Sequence, residues 1–322
     1  MRTLVTGGAG FIGSHLVDRL LEQGDQIVIL DDLSTGRHDN IRHLASNQDV
    51  EFIRGSILNS DLVDDAVRRV DRVFHLAAAV GVNLIVQRPL ESLETNIRGS
   101  DIVLEKCHKY GRKVLVTSTS EIYGKNTSDA LHEDDDRILG SPLKARWSYS
   151  AAKSIEEVLA YTYWSEKGLP TVIARLFNTV GPRQVGNYGM VVPRLIDQAL
   201  RGAPITVYGE GTQTRCFCHV ADSVGALIGL MDDRAAEGRV FNVGNADEIS
   251  MLQLAETIRT QLGSSSEIAL VPYEQAYEPG FEDMQRRRPD TTRIHDLLGW
   301  EPTRTLAQII DDVATDLRTR IA

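Results

Sequence analysis

Three glycines, Gly7, Gly10 and Gly13, follow the apolar pair Leu4-Val5 and precede a run that carries Leu16, Val17, Leu20 and Leu21 on one helical face. Strand, glycine turn and helix in that order leave few folds open. The missing Cβ atoms serve a tight turn, close approach of backbone to a pyrophosphate, and packing of helix on strand. The helix N-terminus then offers free N–H groups and a positive dipole end to phosphate. The helix is read over Ser14 to Gln23, with Gly24 as its C-cap.

Further short β-rich runs lie at Gln26 to Leu30, Val50 to Ile53, Val73 to Leu76, Lys113 to Thr117 and Thr171 to Leu176. Helical stretches such as Asp61 to Val70 and Ser92 to His108 separate them. This alternation predicts an α/β fold: a Rossmann-type, doubly wound parallel sheet with right-handed crossovers. After Asn178 the rhythm breaks at Gly181-Pro182, Pro193, Gly202 to Pro204 and Gly209 to Gly211, although Val191 to Arg201 and Ser250 to Leu262 still read as helices. The expected division is residues 1–177 for the dinucleotide-binding unit and 178–322 for a smaller mixed α/β substrate-binding region. A segment near 216–248, with a strand at Val240 to Val243, is expected to return to the first sheet. The acid-rich stretch His132 to Arg137 reads as a solvated loop.

Asp31 ends the second strand about 20 residues beyond the glycines, where an acid takes the ribose hydroxyls of NAD. Its charge would repel a 2′-phosphate, and no arginine immediately follows Asp31-Asp32, so NAD is expected rather than NADP. Tyr149 and Lys153, four apart, share one helix face. A lysine charge beside an oxidised nicotinamide would lower the phenol pKa from about 10, making Tyr149 a general base for an alcohol.

Several motifs together resemble one family. They are Thr6-Gly-Gly-Ala-Gly-Phe-Ile-Gly13, His75-Leu-Ala-Ala78, Asn96, Thr117-Ser-Thr-Ser-Glu-Ile-Tyr-Gly124, Tyr149-x-x-x-Lys153, Arg175-Leu-Phe-Asn178, Gly181-Pro-Arg183 and Thr214-Arg215. The combination is similar to the extended short-chain dehydrogenase/reductases, in their NAD-dependent nucleotide-sugar branch of epimerases, dehydratases and decarboxylases. That resemblance implies a sugar oxidised at C4, a transformed 4-keto intermediate and, usually, a returned hydride. It implies NAD contacts from Gly7, Gly10, Phe11, Ile12, Gly13 and Asp31, from Leu76, Ala77, Ala78 and Asn96, and from Ser118, Tyr149 and Lys153. It implies that Thr119 or its neighbour bonds the sugar O4. Asn178, Arg183, Val192, Tyr208 and Arg215 would hold the substrate, Asn178 at the diphosphate and Arg215 at a phosphate. Gly55-Ser56-Ile57 departs from the family's Gly-Asp, whose aspartate faces the adenine.

The choice of reaction turns on Ser120-Glu121, a polar pair where plain 4-epimerases tend to carry small or apolar residues. In 4,6-dehydratases such a glutamate removes the C5 proton. Gly280 to Pro289, which includes Arg286-Arg287-Arg288, together with Arg146-Trp147-Ser148-Tyr149-Ser150, resembles the UDP-glucuronate decarboxylases. In those relatives the arginine matching Arg287 reaches the active site with the glutamate matching Glu121. Decarboxylation of UDP-glucuronate is therefore the expected activity, with 4-epimerisation or 4,6-dehydration as alternatives and a non-catalytic NAD-binding regulator as a remote one.

Composition bounds the partners. The chain has 322 residues and a formal net charge of −10, which argues against binding to nucleic acid or an anionic membrane surface. The ligand would instead be a nucleotide sugar, probed by local groups such as Arg215 and Arg287. Cys107, Cys216 and Cys218 make an odd set without a disulfide framework, and neither His75 nor His219 has metal-site spacing, so no metal is expected. The opening residues lack the apolar core of a signal peptide, and no apolar run is long enough to span a bilayer. A cytoplasmic protein is expected, with a homodimer formed through the stretches Ser92 to His108 and Ser150 to Trp164.

Overall fold

Runs dominated by Val, Ile and Leu form the centre of the molecule because a strand covered on both faces needs apolar side chains at every position. The computed structural model describes residues 1–80, 88–144, 147–186, 190–276, 284 and 286–321. Seven strands make one parallel sheet: β1 (Arg2–Thr6), β2 (Gln26–Asp31), β3 (Val50–Arg54), β4 (Arg72–His75), β5 (Lys113–Thr119), β6 (Thr171–Leu176) and β11 (Arg239–Val243). Their spatial order is β11-β6-β5-β4-β1-β2-β3. The chain winds outward from β1 in both directions, so a crevice opens beyond the carboxyl ends of β1 and β4.

Neighbouring residues on one strand serve opposite cores, as the strand period requires. Val5, Ile29, Leu115 and Phe241 face α1 (Phe11–Glu22) and α7 (Val220–Asp232). Leu4, Val28, Val73 and Val114 face α2 (Ser60–Arg68), α4 (Gly99–Tyr110) and α5 (Ser148–Lys167). A third core lies in the C-terminal region, where α6 (Val191–Leu200), α8 (Met251–Gln261) and α9 (Leu306–Ile321) bury Leu195, Leu254, Ile258 and Ile310. Short strand pairs complete that region, the first being β7 (Thr179–Val180) parallel to β10 (Cys218–His219). β8 (Ile205–Tyr208) runs parallel to β13 (Ile268–Val271), and β9 (Thr214–Cys216) antiparallel to β12 (Glu248–Ser250). β11 joins the main sheet beside β6, which is the return expected of Val240 to Val243.

Several local expectations are corrected. Helix α1 starts at Phe11, not Ser14, because Gly10 itself serves as its N-cap. Its C-cap is Gln23, and Gly24 stands one residue beyond in the left-handed region, φ +85°, where its N–H bonds Leu21 O. The stretch Ser92 to His108 is not one regular helix: α3 (Pro89–Leu93) passes through a π-helical turn, Glu94–Arg98, into α4. The acid-rich loop is not uniformly solvated. Glu133 is buried, its Oε1 accepting the Asn242 N–H at 2.8 Å, and its carbonyl accepts from Arg175 Nη1 at 2.8 Å. All three cysteines are free and buried, and burial pushes the Cys216 and Cys218 thiols up to about 12. Among the described residues no helix is long and apolar enough to cross a membrane.

Candidate active site

A cavity of about 770 Å³ follows the carboxyl edge of the sheet, from the glycine turn and Asp31 to Tyr208, Arg215 and Arg287. Its cofactor end is shaped by atoms that are absent. Gly7 holds φ +72°, and a Cβ there would stand 2.8 Å from Ala77 N. A Cβ on Gly13 would stand 2.1 Å from Gly7 O, so the first helical turn can close on the loop only as glycine. No side chain caps α1 at Gly10, which leaves its N-terminal N–H groups facing the cavity that Phe11, Ile12 and Gly13 line. Asp31 forms the next part of the wall and accepts from Ala9 N at 2.9 Å and Leu33 N at 2.8 Å. Burial raises its pKa, while the two amides act in the opposite sense.

Leu76, Ala77 and Ala78 line the opposite side of this end. Asn96 does not reach the cavity: it is fully buried, accepting from Ala79 N at 2.7 Å and donating to Ala79 O at 3.2 Å. Its amide fixes the loop after β4, so it would act on a cofactor through that loop. Ser118 lines the cavity, and its buried hydroxyl has no partner among the described residues, the state expected of a group awaiting a ligand.

The catalytic candidates come from two adjacent pieces of chain. Thr119 ends β5, and a 3₁₀ turn, Ser120–Tyr123, aims Glu121 across the cavity. The Ser150 hydroxyl donates to Glu121 O at 2.8 Å and so clamps the start of α5 onto that turn. Tyr149 and Lys153 therefore face the same space. Lys153 Nζ donates to Thr117 O at 3.0 Å and to Glu156 Oε2 at 2.8 Å. Burial drives the Tyr149 pKa above its ordinary value, the charges of Glu156 and Glu121 add to the rise, and a hydrogen bond with Thr119 opposes it. His75, beneath the site, is held by Thr6 Oγ1 at 2.7 Å and Ser100 Oγ at 2.9 Å, so its part here is structural.

At the far end, Arg287 Nη1 lies 2.7 Å from Glu121 Oε1, both side chains being largely buried. The arginine triplet thus divides. Arg286 turns outward to Glu248 and Asp129, whereas Arg287 turns into the cavity. Arg146 and residues 280–283 and 285 of the flanking motifs lie outside the described residues.

Asn178, Arg183, Tyr208 and Arg215 line the cavity. Asn178 Nδ2 donates to Cys216 O at 3.0 Å, and Arg183 pairs with Asp18 of α1 at 2.7 Å, tying the two regions together. Val192 is placed otherwise: it is fully buried in the C-terminal core, and its neighbour Val191 reaches the cavity. One residue of shift on α6 turns a side chain by about 100° and explains the difference. Thr35, Arg37, Gln184, Arg194, Gln213 and Tyr273 also line the cavity and were not anticipated. Thr35 and Arg37 carried a local signal, since they follow Asp31 in the same loop; Arg194 stacks on the Tyr208 ring at 4.4 Å through tertiary folding alone.

Comparison with known proteins agrees with this geometry. Residues 4–313 match the family model of GDP-mannose 4,6 dehydratase. The chain is 42% identical over 302 residues to a UDP-N-acetyl-alpha-D-glucosaminuronate decarboxylase of Bacillus cytotoxicus, covering 94% of this chain and 92% of that protein. It is 37% identical over 324 residues to UDP-glucuronic acid decarboxylase 1 of Arabidopsis thaliana, covering 100% of this chain and 71% of that protein. The crystal structure of a UDP-glucuronic acid 4-epimerase from Bacillus cereus, in complex with UDP-glucuronic acid and NAD, superposes with a TM-score of 0.89 at 29% identity over 99% of this chain and 100% of that chain. A dTDP-glucose 4,6-dehydratase from Bacillus anthracis in complex with NAD gives 0.87 at 26% identity, over 99% and 97%. The side-chain-free glycine cradle and the orphaned Ser118 hydroxyl fit the same cofactor here. The chain belongs to the NAD-dependent nucleotide-sugar enzymes of the extended short-chain dehydrogenase/reductase superfamily.

Proposed function

We propose that the protein decarboxylates a UDP-linked hexuronate through a 4-keto sugar. The observation that carries this reading is the Glu121–Arg287 pair at 2.7 Å, set across the cavity from Tyr149. NAD, when bound, would accept two electrons from the C4 carbinol and, where UDP-xylose is the product, would return them to the 4-ketone after C5 is protonated. Tyr149 Oη takes the O4 proton, and Thr119 steadies that oxygen by hydrogen bonding. The 4-ketone makes the C6 carboxylate a β-keto acid, so the C5–C6 bond breaks with its electron pair delocalised onto O4. Tyr149 and Thr119, which line the cavity, would bond the resulting enolate oxygen. Arg287 orients the carboxylate before it leaves, and C5 takes a proton with the help of Glu121 or Arg287. Asn178 and Arg215 would hold the diphosphate.

UDP-glucuronate is the first substrate to test, with carbon dioxide and UDP-xylose or its 4-keto precursor as expected products. Retention of all six sugar carbons would overturn decarboxylation in favour of epimerisation or dehydration. A second reading, the 2-acetamido hexuronate, draws on the 42% identity to the UDP-N-acetyl-alpha-D-glucosaminuronate decarboxylase. Comparing kcat/KM for the two UDP-sugars chooses between them.

We also propose a homodimer. Ile155, Val158, Tyr161 and Trp164, 37–60% exposed, leave α5 with apolar side chains at its surface that a second copy would cover. Sedimentation of the purified protein tests it, a monomer at micromolar concentration being the contrary result. A cytoplasmic location goes with three free, reduced cysteines. The division at residue 177 is proposed on the same footing, since the third core contains no side chain before Val180.

A further inference from the structure

A carboxylate that the mechanism above does not use lies against its catalytic lysine. Glu156 is 1% exposed and stands three residues after Lys153 and seven after Tyr149, so all three share one face of α5. Its Oε2 accepts from Lys153 Nζ at 2.8 Å, and its Oε1 has no partner among the described residues. Burying an anion this deeply is costly, and leaving one oxygen unsatisfied adds to the cost. A glutamine or an alanine would avoid that cost, so the charge itself calls for an explanation.

We propose that Glu156 is a positioning and tuning residue for the base: it anchors Lys153 against the end of β5 and offsets the lysine charge, so that Tyr149 gives up its proton reluctantly. The offset follows from the surroundings of each group. Tyr149 faces Glu156 on its own helix, the Thr119 hydroxyl at the end of β5, and Glu121 on the turn that follows, whose charge is balanced by Arg287; Lys153, one helical turn along, lines the same cavity. Glu156 faces Lys153 and Glu157 on α5 and the Ser100 hydroxyl on α4; Glu157 is neutralised by two bonds to Arg175 at 2.9 and 2.8 Å. From β4, His75 faces Lys153 and is neutral at working pH, its pKa lowered to about 3 by burial and by the lysine. Within this set Glu156 is the negative charge that Lys153 must answer before it can act on Tyr149.

Polar contacts continue from this pair toward β1. Thr6 Oγ1 accepts from Ala77 N at 3.2 Å and contacts His75 Nδ1, whose Nε2 contacts Ser100 Oγ. Ser100 in turn acts on the Glu156 carboxylate, lowering a pKa that burial raises.

The inference takes Tyr149 as the base but does not depend on which sugar is the substrate. Its test reads the tyrosine directly: ultraviolet tyrosinate absorbance is titrated in the protein and in Glu156→Gln, each as the difference from its Tyr149→Phe counterpart. E156Q keeps the volume and removes the charge, so the Tyr149 midpoint is expected to fall by about one pH unit or more. The acid limb of kcat/KM moves downward with it on whichever UDP-sugar is turned over. A Tyr149 midpoint unchanged in folded E156Q overturns the proposal, even if activity falls, because a purely structural role would lower stability without moving that titration. Should E156Q fail to fold, Glu156→Asp carries the test: its carboxylate is withdrawn by one methylene, and the midpoint is expected to fall by less but measurably, a static midpoint again refuting the idea. Loss of the decarboxylase reading would leave this titration untouched, so the two fail separately.

Discussion

The two ends of the cavity are built on different principles. The cofactor end is made of backbone: Gly7, Gly10 and Gly13 shape it by lacking Cβ atoms, and the start of α1 supplies its polarity. The sugar end is made of charged side chains, Glu121 and Arg287, that come from opposite parts of the chain and meet at 2.7 Å. A site made of backbone tolerates no added atom, while a site made of ion pairs tolerates no lost charge. Tyr149 stands where the two meet, so it gives the largest expected effect: Tyr149→Phe should lower kcat by about 10³-fold while NAD stays bound. Loss of bound NAD together with activity would mean that the ring supports the cofactor end instead.

The next largest effect breaks the backbone end alone. Gly13→Ala would set a Cβ 2.1 Å from Gly7 O, a clash with backbone that no rotamer relieves. NAD affinity should fall by about 100-fold or more, with about 1–3 kcal/mol of stability lost to the strain. Calorimetric titration with NAD checks the first figure and denaturant unfolding the second. Unchanged affinity would show that the turn can open without harm.

This contrast also explains what could be read from sequence. The glycine spacing, the strand alternation and Asp31 were legible because each depends on neighbours within one strand–turn–helix unit. The Tyr149–Lys153 pair was legible because a helix brings residues four apart together. Arg194 against Tyr208 and the inward turn of Arg287 beside an outward Arg286 were not, because they depend on tertiary packing. The family resemblance bridged that gap for Arg287 but misjudged Asn96 and Val192, whose side chains face the Ala79 loop and the third core. Glu133 was misread for a related reason: a charge run looks solvated until the arginine and backbone amide that meet it are in place.

The charged end can be broken without touching the turn. Arg287→Met should lower kcat for a hexuronate by about 10²-fold, and it leaves Glu121 without its cation. Because that carboxylate is mostly buried, the single variant should also lose about 1–3 kcal/mol, the figure for a fully buried pair reduced for partial exposure. Glu121→Gln in the Arg287→Met background should recover part of that stability but none of the activity. Additive losses in this double-mutant cycle would show that the two side chains do not act as a pair.

A smaller effect sharpens the cofactor end. Asp31 is the one carboxylate whose two oxygens hold the backbone of the turn and the loop after β2, through Ala9 N and Leu33 N among the described residues. Asp31→Asn keeps one acceptor and removes the charge that would repel a 2′-phosphate. The preference for NAD over NADP should fall by about tenfold, measured as a ratio of dissociation constants. An unchanged ratio would transfer the discrimination to other residues at this end, such as Arg37.

The smallest effect concerns the frame between the ends. His75 is fully buried and neutral, its pKa lowered to about 3, chiefly by burial. In the unfolded chain the same imidazole takes up a proton near its ordinary value of about 6.5. The unfolded state therefore binds more protons between those values, and the contribution of His75 to stability is complete above about pH 6.5 and declines as pH falls toward 3. By about pH 4.5 the decline should reach about 2–3 kcal/mol. His75→Gln, neutral at every pH, should start less stable because it disturbs the contacts with Thr6 and Ser100, but should lose less on acidification. Denaturant unfolding at a series of pH values gives both slopes, and parallel slopes would mean that His75 is protonated in the native state. The activity of the two ends would then rest on a frame that carries a buried positive charge beside Lys153, a placement that burial and the lysine charge both disfavour.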